Sequence, residues 1–172
     1  MSKCFIILGM HRSATSLIAK GLMASGIHMG NRLLGASPCQ PDGHFEDTDF
    51  ISVNDQILKH AGGSWDNPPD EEAIVEVARQ SKDFLQEFIE SKSQHRLWGW
   101  KDPRTVLTIR CFMPFIKKPH IIPCFRETRD VARSLNRRDG MPIAQGQQLA
   151  MEYNRRLLLF LGDWYAKEQG EL

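Results

Sequence analysis

Three short polar clusters hold the residues able to grip a multiply charged anion, and each follows an apolar run. The first is Gly9-Met-His-Arg-Ser-Ala-Thr-Ser16, after Cys4-Phe-Ile-Ile-Leu8. A loop entering a helix presents unpaired backbone N–H groups and the positive end of the helix dipole. An anion is therefore the expected ligand there, helped by the Ser13, Thr15 and Ser16 hydroxyls. Arg12 is the cation inside this loop, and its planar fork suits the oxygens of a phosphate or sulfate. The second cluster, Lys101-Asp-Pro-Arg-Thr105, follows Leu97-Trp-Gly-Trp100. The third, Arg126-Glu-Thr-Arg-Asp-Val-Ala-Arg-Ser134, follows His120-Ile-Ile-Pro-Cys-Phe125. Arg126 stands at the end of that run, and Ser134 lies about two helical turns further on, so the two can face one phosphate.

The elements that must position these clusters follow from hydrophobic periodicity. Residues 4–8 form a continuous β-prone apolar run, as expected of a strand buried on both faces of a parallel sheet. Thr15 to Ser25 reads as a helix, residues 30–49 as a long irregular segment able to act as a lid or acceptor wall, and 49–60 as a second helix. An amphipathic helix is predicted over 71–91, a second strand over 97–101, and a helix opened by Asp102 as N-cap with Pro103 behind it. A third strand covers 120–125, where Pro123 implies a sheet edge or a bulge. A helix over the third cluster and a last one over 142–168 complete the chain. Alternating strands and helices predict an α/β fold with right-handed crossovers, whose ligands bind at the carboxyl ends of the strands. The three clusters are thus expected on one rim.

Composition narrows the partner. The 172 residues read as a single domain over 1–172, and a formal net charge of +1 gives no general attraction to nucleic acid or acidic membrane. Any anion site has to be built locally, and a small partner is expected. Four well-separated cysteines, Cys4, Cys39, Cys111 and Cys124, suit a reducing compartment. With neither a leader-like segment nor a membrane span in the text, the expectation is a cytoplasmic protein. The histidines show no metal-ligand spacing, so no metal is expected. Trp65, Trp98, Trp100 and Phe45 are candidates to line an acceptor site or, equally, to fill a core.

Set against the nucleotide-triphosphate loop G-x-x-x-x-G-K-[ST], Gly9 and Ser16 fit, but Ala14 replaces the second glycine and Thr15 the lysine, which argues against a small-molecule kinase. The first cluster instead resembles the 5'-phosphosulfate loop of the sulfotransferase family, and the third resembles that family's 3'-phosphate motif R-x-x-x-D-V-A-x-S. Trp100-Lys-Asp-Pro103 is similar to the Lys-Asp-Pro motif of tyrosylprotein sulfotransferases and of bacterial sulfotransferase-like proteins. The resemblance implies a P-loop-type three-layer α/β/α fold with a short central parallel sheet. It also implies transfer of a sulfonate group from 3'-phosphoadenosine 5'-phosphosulfate (PAPS), with 3',5'-adenosine bisphosphate (PAP) as product. The acceptor would be a hydroxyl or amine of a small molecule, carbohydrate, lipid or peptide. His11, Arg12, Ser13, Ala14, Thr15 and Ser16 would hold the phosphosulfate, Arg126 and Ser134 the 3'-phosphate, and Arg12 with Lys101 the charge on the leaving oxygen. Glu46, in a segment similar to one of the bacterial members, would be the base, with His44 and Asp102 as the other candidates. The chain lacks the family's C-terminal Gly-rich segment, and a PAP-binding module without turnover is the second reading. Ala14 departs from the family's glycine, and if the backbone there needs a positive φ its Cβ costs about 1 kcal/mol.

Overall fold

A computed structural model describes residues 2–37 and 43–170. The chain runs β1 (Lys3–Leu8), α1 (Thr15–Ala24), α2 (Thr48–His60), α3 (Glu71–Gln80), α4 (Lys82–Lys92), β2 (Leu97–Lys101), α5 (Thr105–Phe112), a 3-10 turn (Met113–Phe115), β3 (His120–Pro123), α6 (Thr128–Asp139) and α7 (Ile143–Gln169). The three strands form a parallel sheet in the order β2-β1-β3, with β1 at the centre. The apolar run of β1 is what this position demands. Ile6 and Leu8 point into a large core with Phe50, Trp100, Phe112 and Tyr153, while Ile7 points to a smaller one with Ala19 and Met29. Two cores on opposite faces of one sheet give the α/β/α layering.

Register sets the geometry of the rim. Ile7 of β1 is opposite Lys101 of β2, and Leu8 is opposite Pro123 of β3, so all three strands end at nearly the same height. Pro123 is tolerated because β3 is an edge strand, and the next residue supplies the ladder bond, Cys124 N donating to Leu8 O at 2.7 Å.

Two local expectations are corrected. The helix expected over 71–91 is divided at Ser81, whose φ of −103° and ψ of 18° leave the helical region. The two halves pack differently, α3 against α2 and α5, and α4 against α5 and the 3-10 turn, so a straight helix would lose one set of contacts. Asp102 does not cap α5, which starts at Thr105. It closes the preceding turn, its Oδ1 accepting from Arg104 N at 3.1 Å and its main-chain oxygen from Thr105 N at 3.0 Å. The irregular segment falls partly on residues 38–42, Cys39 among them, which lie outside the described residues. Its return arm is ordered by Leu34 N donating to Glu46 O at 2.7 Å, and it ends at Asp47, whose side chain caps α2 through Asp49 N.

Among the described residues no helix is long and apolar enough to cross a membrane. Among the same residues no group of three or more His, Cys, Asp or Glu side chains is arranged to hold a metal ion.

Candidate active site

The loops that leave β1, β2 and β3 surround a cleft of about 440 Å³ at the carboxyl ends of the strands. Among the described residues five cationic side chains line it, Arg12, Lys101, Arg104, Arg126 and Arg138, against a single carboxylate, Glu46. For a chain with a net charge of +1, that concentration marks a site for a strongly anionic ligand.

The loop after β1 has an unusual backbone. Arg12 and Ala14 both have positive φ, 68° and 62°, and Ala14 is the N-cap of α1 with no side chain capping the helix. Thr15 and Ser16, which open the first turn, line the cleft, where an anion can take the place of the missing cap. The left-handed conformation at Ala14 is the strained one anticipated above. Ala14→Gly is expected to raise stability by up to about 1 kcal/mol, read as a shift of the urea midpoint at constant slope.

The expected residues come together, with some redistribution of partners. Arg12 Nε donates to Ser134 Oγ at 2.9 Å, and Arg126 Nη1 donates to the main-chain oxygen of Arg12 at 2.9 Å. The first cluster is thus joined to the third, and Arg12 belongs to the same corner as Arg126 and Ser134. Ser13 Oγ is buried without a partner, whereas Ser16 Oγ donates to His44 O at 3.1 Å and anchors the return arm of the irregular segment. Thr15 is buried at the start of α1.

Lys101 and Glu46, the candidate leaving-group cation and base, contact each other: Nζ donates to Oε1 at 2.5 Å, with the residues only 2% and 6% exposed. Burial pushes the Glu46 carboxyl up, and the Lys101 charge only partly opposes this; burial likewise pulls the Lys101 ammonium down. Asp102 is taken up elsewhere, with Oδ2 accepting from Asn54 Nδ2 at 2.8 Å and Oδ1 from Arg104 Nη1 at 2.9 Å. Asn54 in turn accepts from Thr108 and, like Trp100 Nε1, donates to Thr105 Oγ1. This buried network fixes α2 to α5 and leaves Asp102 a structural residue. His44 lies at the rim, its Nε2 2.9 Å from Ser37 Oγ.

His11 is 8% exposed and packs against the Trp65 ring at 4.6 Å, while its Nε2 is buried without a partner. Burial is the main reason its pKa falls well below 6.5, and the charges of Arg104, Arg138, Lys101 and Arg12 add to the effect. The folded chain therefore keeps this imidazole neutral where the unfolded chain protonates it. The unfolded state binds more protons, so His11 lowers stability as pH falls below about 6.5. Between pH 7.5 and pH 5 the loss expected from this residue is about 2 kcal/mol. Urea unfolding at the two pH values measures it, and His11→Gln is expected to lose that part of the dependence.

The sequence reading missed Arg104 and Arg138. Both had a signal: Arg104 is three residues beyond Lys101, and Arg138 is four beyond Ser134, on the same face of α6. Of the candidate aromatics only Trp65 lines the cleft. Trp98 and Trp100 are buried in the large core, and Phe45 packs against the smaller one. Compared with protein-family models, with curated proteins and with solved structures, the chain gives no significant match.

Proposed function

We propose that this protein transfers a sulfonate group from PAPS to a hydroxyl or amine of an acceptor and releases PAP. The observation that carries this reading is the meeting of three clusters, one from each strand end, in a cleft lined, among the described residues, by five cations and one carboxylate. PAPS supplies an activated sulfonate, and the work left to the protein is positioning and stabilising charge on the departing 5'-phosphate oxygen. Arg126 and Ser134 hold the 3'-phosphate, which sets the register of the nucleotide. The amides of the first turn of α1, with Arg12 beside them, receive the 5'-phosphate. Lys101 meets the leaving oxygen, and Glu46, released from Lys101 as the lysine turns to that oxygen, accepts the acceptor's proton.

The first test is ligand-induced thermal stabilisation by PAP, by ATP with magnesium and by 5'-AMP. PAP at a hundred times its dissociation constant is expected to stabilise by about 2.7 kcal/mol, and Arg126→Ala to abolish the shift. Stabilisation by ATP without stabilisation by PAP overturns the reading. Glu46→Gln is expected to keep PAP binding and to lower sulfonate transfer about a hundredfold or more. A PAP-binding chain that turns over no acceptor, before and after this change, is a nucleotide-binding module instead.

A further inference from the structure

We propose that the cleft contains a second anion position, formed by Arg138, Arg104 and His11 beside Trp65, and that it selects acceptors carrying a carboxylate, sulfate or phosphate group. Of these four only His11 belongs to the loop expected to hold the phosphosulfate, and its ring turns instead to Trp65. Arg138 lies one helical turn beyond Ser134 on α6, so the basic face of that helix extends past the group that Arg126 and Ser134 hold. Its guanidinium sits 5.5 Å from the centre of the Trp65 ring, and Asp139 fixes it by accepting from Nε at 2.8 Å and from Nη2 at 2.6 Å. Arg104 enters from the opposite wall, after β2. It is braced by Asp102 at 2.9 Å and by an ion pair with Asp55. None of the three aspartates lines the cleft, so both cations are held from behind while they border the open space.

His11 supplies the independent sign of a ligand. Its ring is enclosed by Trp65 and, at 6.4 Å, by Tyr153, yet its Nε2 has no partner in a chain whose buried polar atoms are otherwise mostly satisfied. Because burial, with the surrounding arginines and Lys101 adding to it, keeps the imidazole neutral, it can exchange a hydrogen bond with a hydroxyl without adding another positive charge. Two guanidinium groups for a fixed anion and one neutral imidazole for a hydroxyl describe a polyhydroxylated or phenolic molecule with an acidic substituent. Trp65 gives it an apolar wall.

The description of this molecule as the acceptor rests on the sulfonate-transfer reading, whereas the anion position itself does not. The test uses the intact chain saturated with PAP, and two matched pairs of probes: methyl β-D-glucuronide against methyl β-D-glucoside, and 4-hydroxybenzoate against 4-hydroxybenzamide. In at least one pair the anionic member is expected to bind about tenfold or more tightly by calorimetry. Arg138→Gln is expected to remove that preference while leaving PAP affinity and thermal stability unchanged, and Arg138→Lys to retain part of it. Equal affinity within both pairs, no binding of either anionic probe at millimolar concentration, or a preference that survives Arg138→Gln overturns the proposal. Failure of PAP itself to bind is a separate result. It removes the donor assignment, and the same probe pairs on the PAP-free chain then decide the anion position alone.

Discussion

Lys101→Met is expected to destabilise the protein by about 3 kcal/mol and to reduce sulfonate transfer by about a thousandfold. The stability loss comes from Glu46, which is 6% exposed and whose carboxylate is left buried without its 2.5 Å donor. On the proposed reaction, the activity loss comes from the charge on the leaving oxygen, which Lys101 meets from the end of β2. The two effects separate in a double-mutant cycle. Adding Glu46→Leu to Lys101→Met replaces a buried ion pair by apolar side chains of similar size, which is often neutral or stabilising. The double variant should therefore recover most of the stability and none of the activity. If stability does not return, the pair is not the source of the loss; if activity returns, Lys101 has no part in the chemistry.

The second large effect lies beneath the site. A Cβ on Gly99 would stand 2.0 Å from the main-chain oxygen of Phe5 and 3.0 Å from its Cβ, so an alanine forces β2 away from β1. The neighbouring atoms are backbone in the middle of the sheet and cannot step aside. Gly99→Ala is expected to cost about 3 kcal/mol or more, seen as a lower urea midpoint. A shift of β2 also moves Lys101, two residues further along the same strand and paired in register with Ile7. Remaining folded protein should therefore show reduced transfer, since a displacement of about 1 Å at the reacting groups can cost a hundredfold. Near-normal stability of this variant would contradict the close approach of the two strands.

What could be read from the text depended on whether a feature was local. The run from Cys4 to Leu8 is apolar at every position because β1 is covered on both sides, and no other element needs that pattern. The clusters after the three strands were legible for the same reason, since strand ends define a rim before any coordinates exist. The contact between Glu46 and Lys101 was not, because it joins residues 55 apart in the chain, and only the return arm of the irregular segment brings them together. Asp102 misled because Asp-Pro is a good helix start; the buried hydrogen bonds to Asn54 and Arg104 shift α5 by two residues. Trp98 and Trp100 could not be separated from Trp65 by residue type. Their alternation with Gly99 on β2, against a loop position for Trp65, is what divides core from cleft.

The strand order has a consequence for how the molecule is made. β1 leaves the ribosome before either of its sheet neighbours, which are encoded far downstream, β2 beginning at Leu97 and β3 at His120. At about 5–20 residues per second of synthesis, its apolar strand waits several seconds or longer without a partner. Such distant pairings also fold slowly once the chain is complete. The cleft is among the last features to appear, since its wall is unfinished until Arg138 has emerged and α6 has docked.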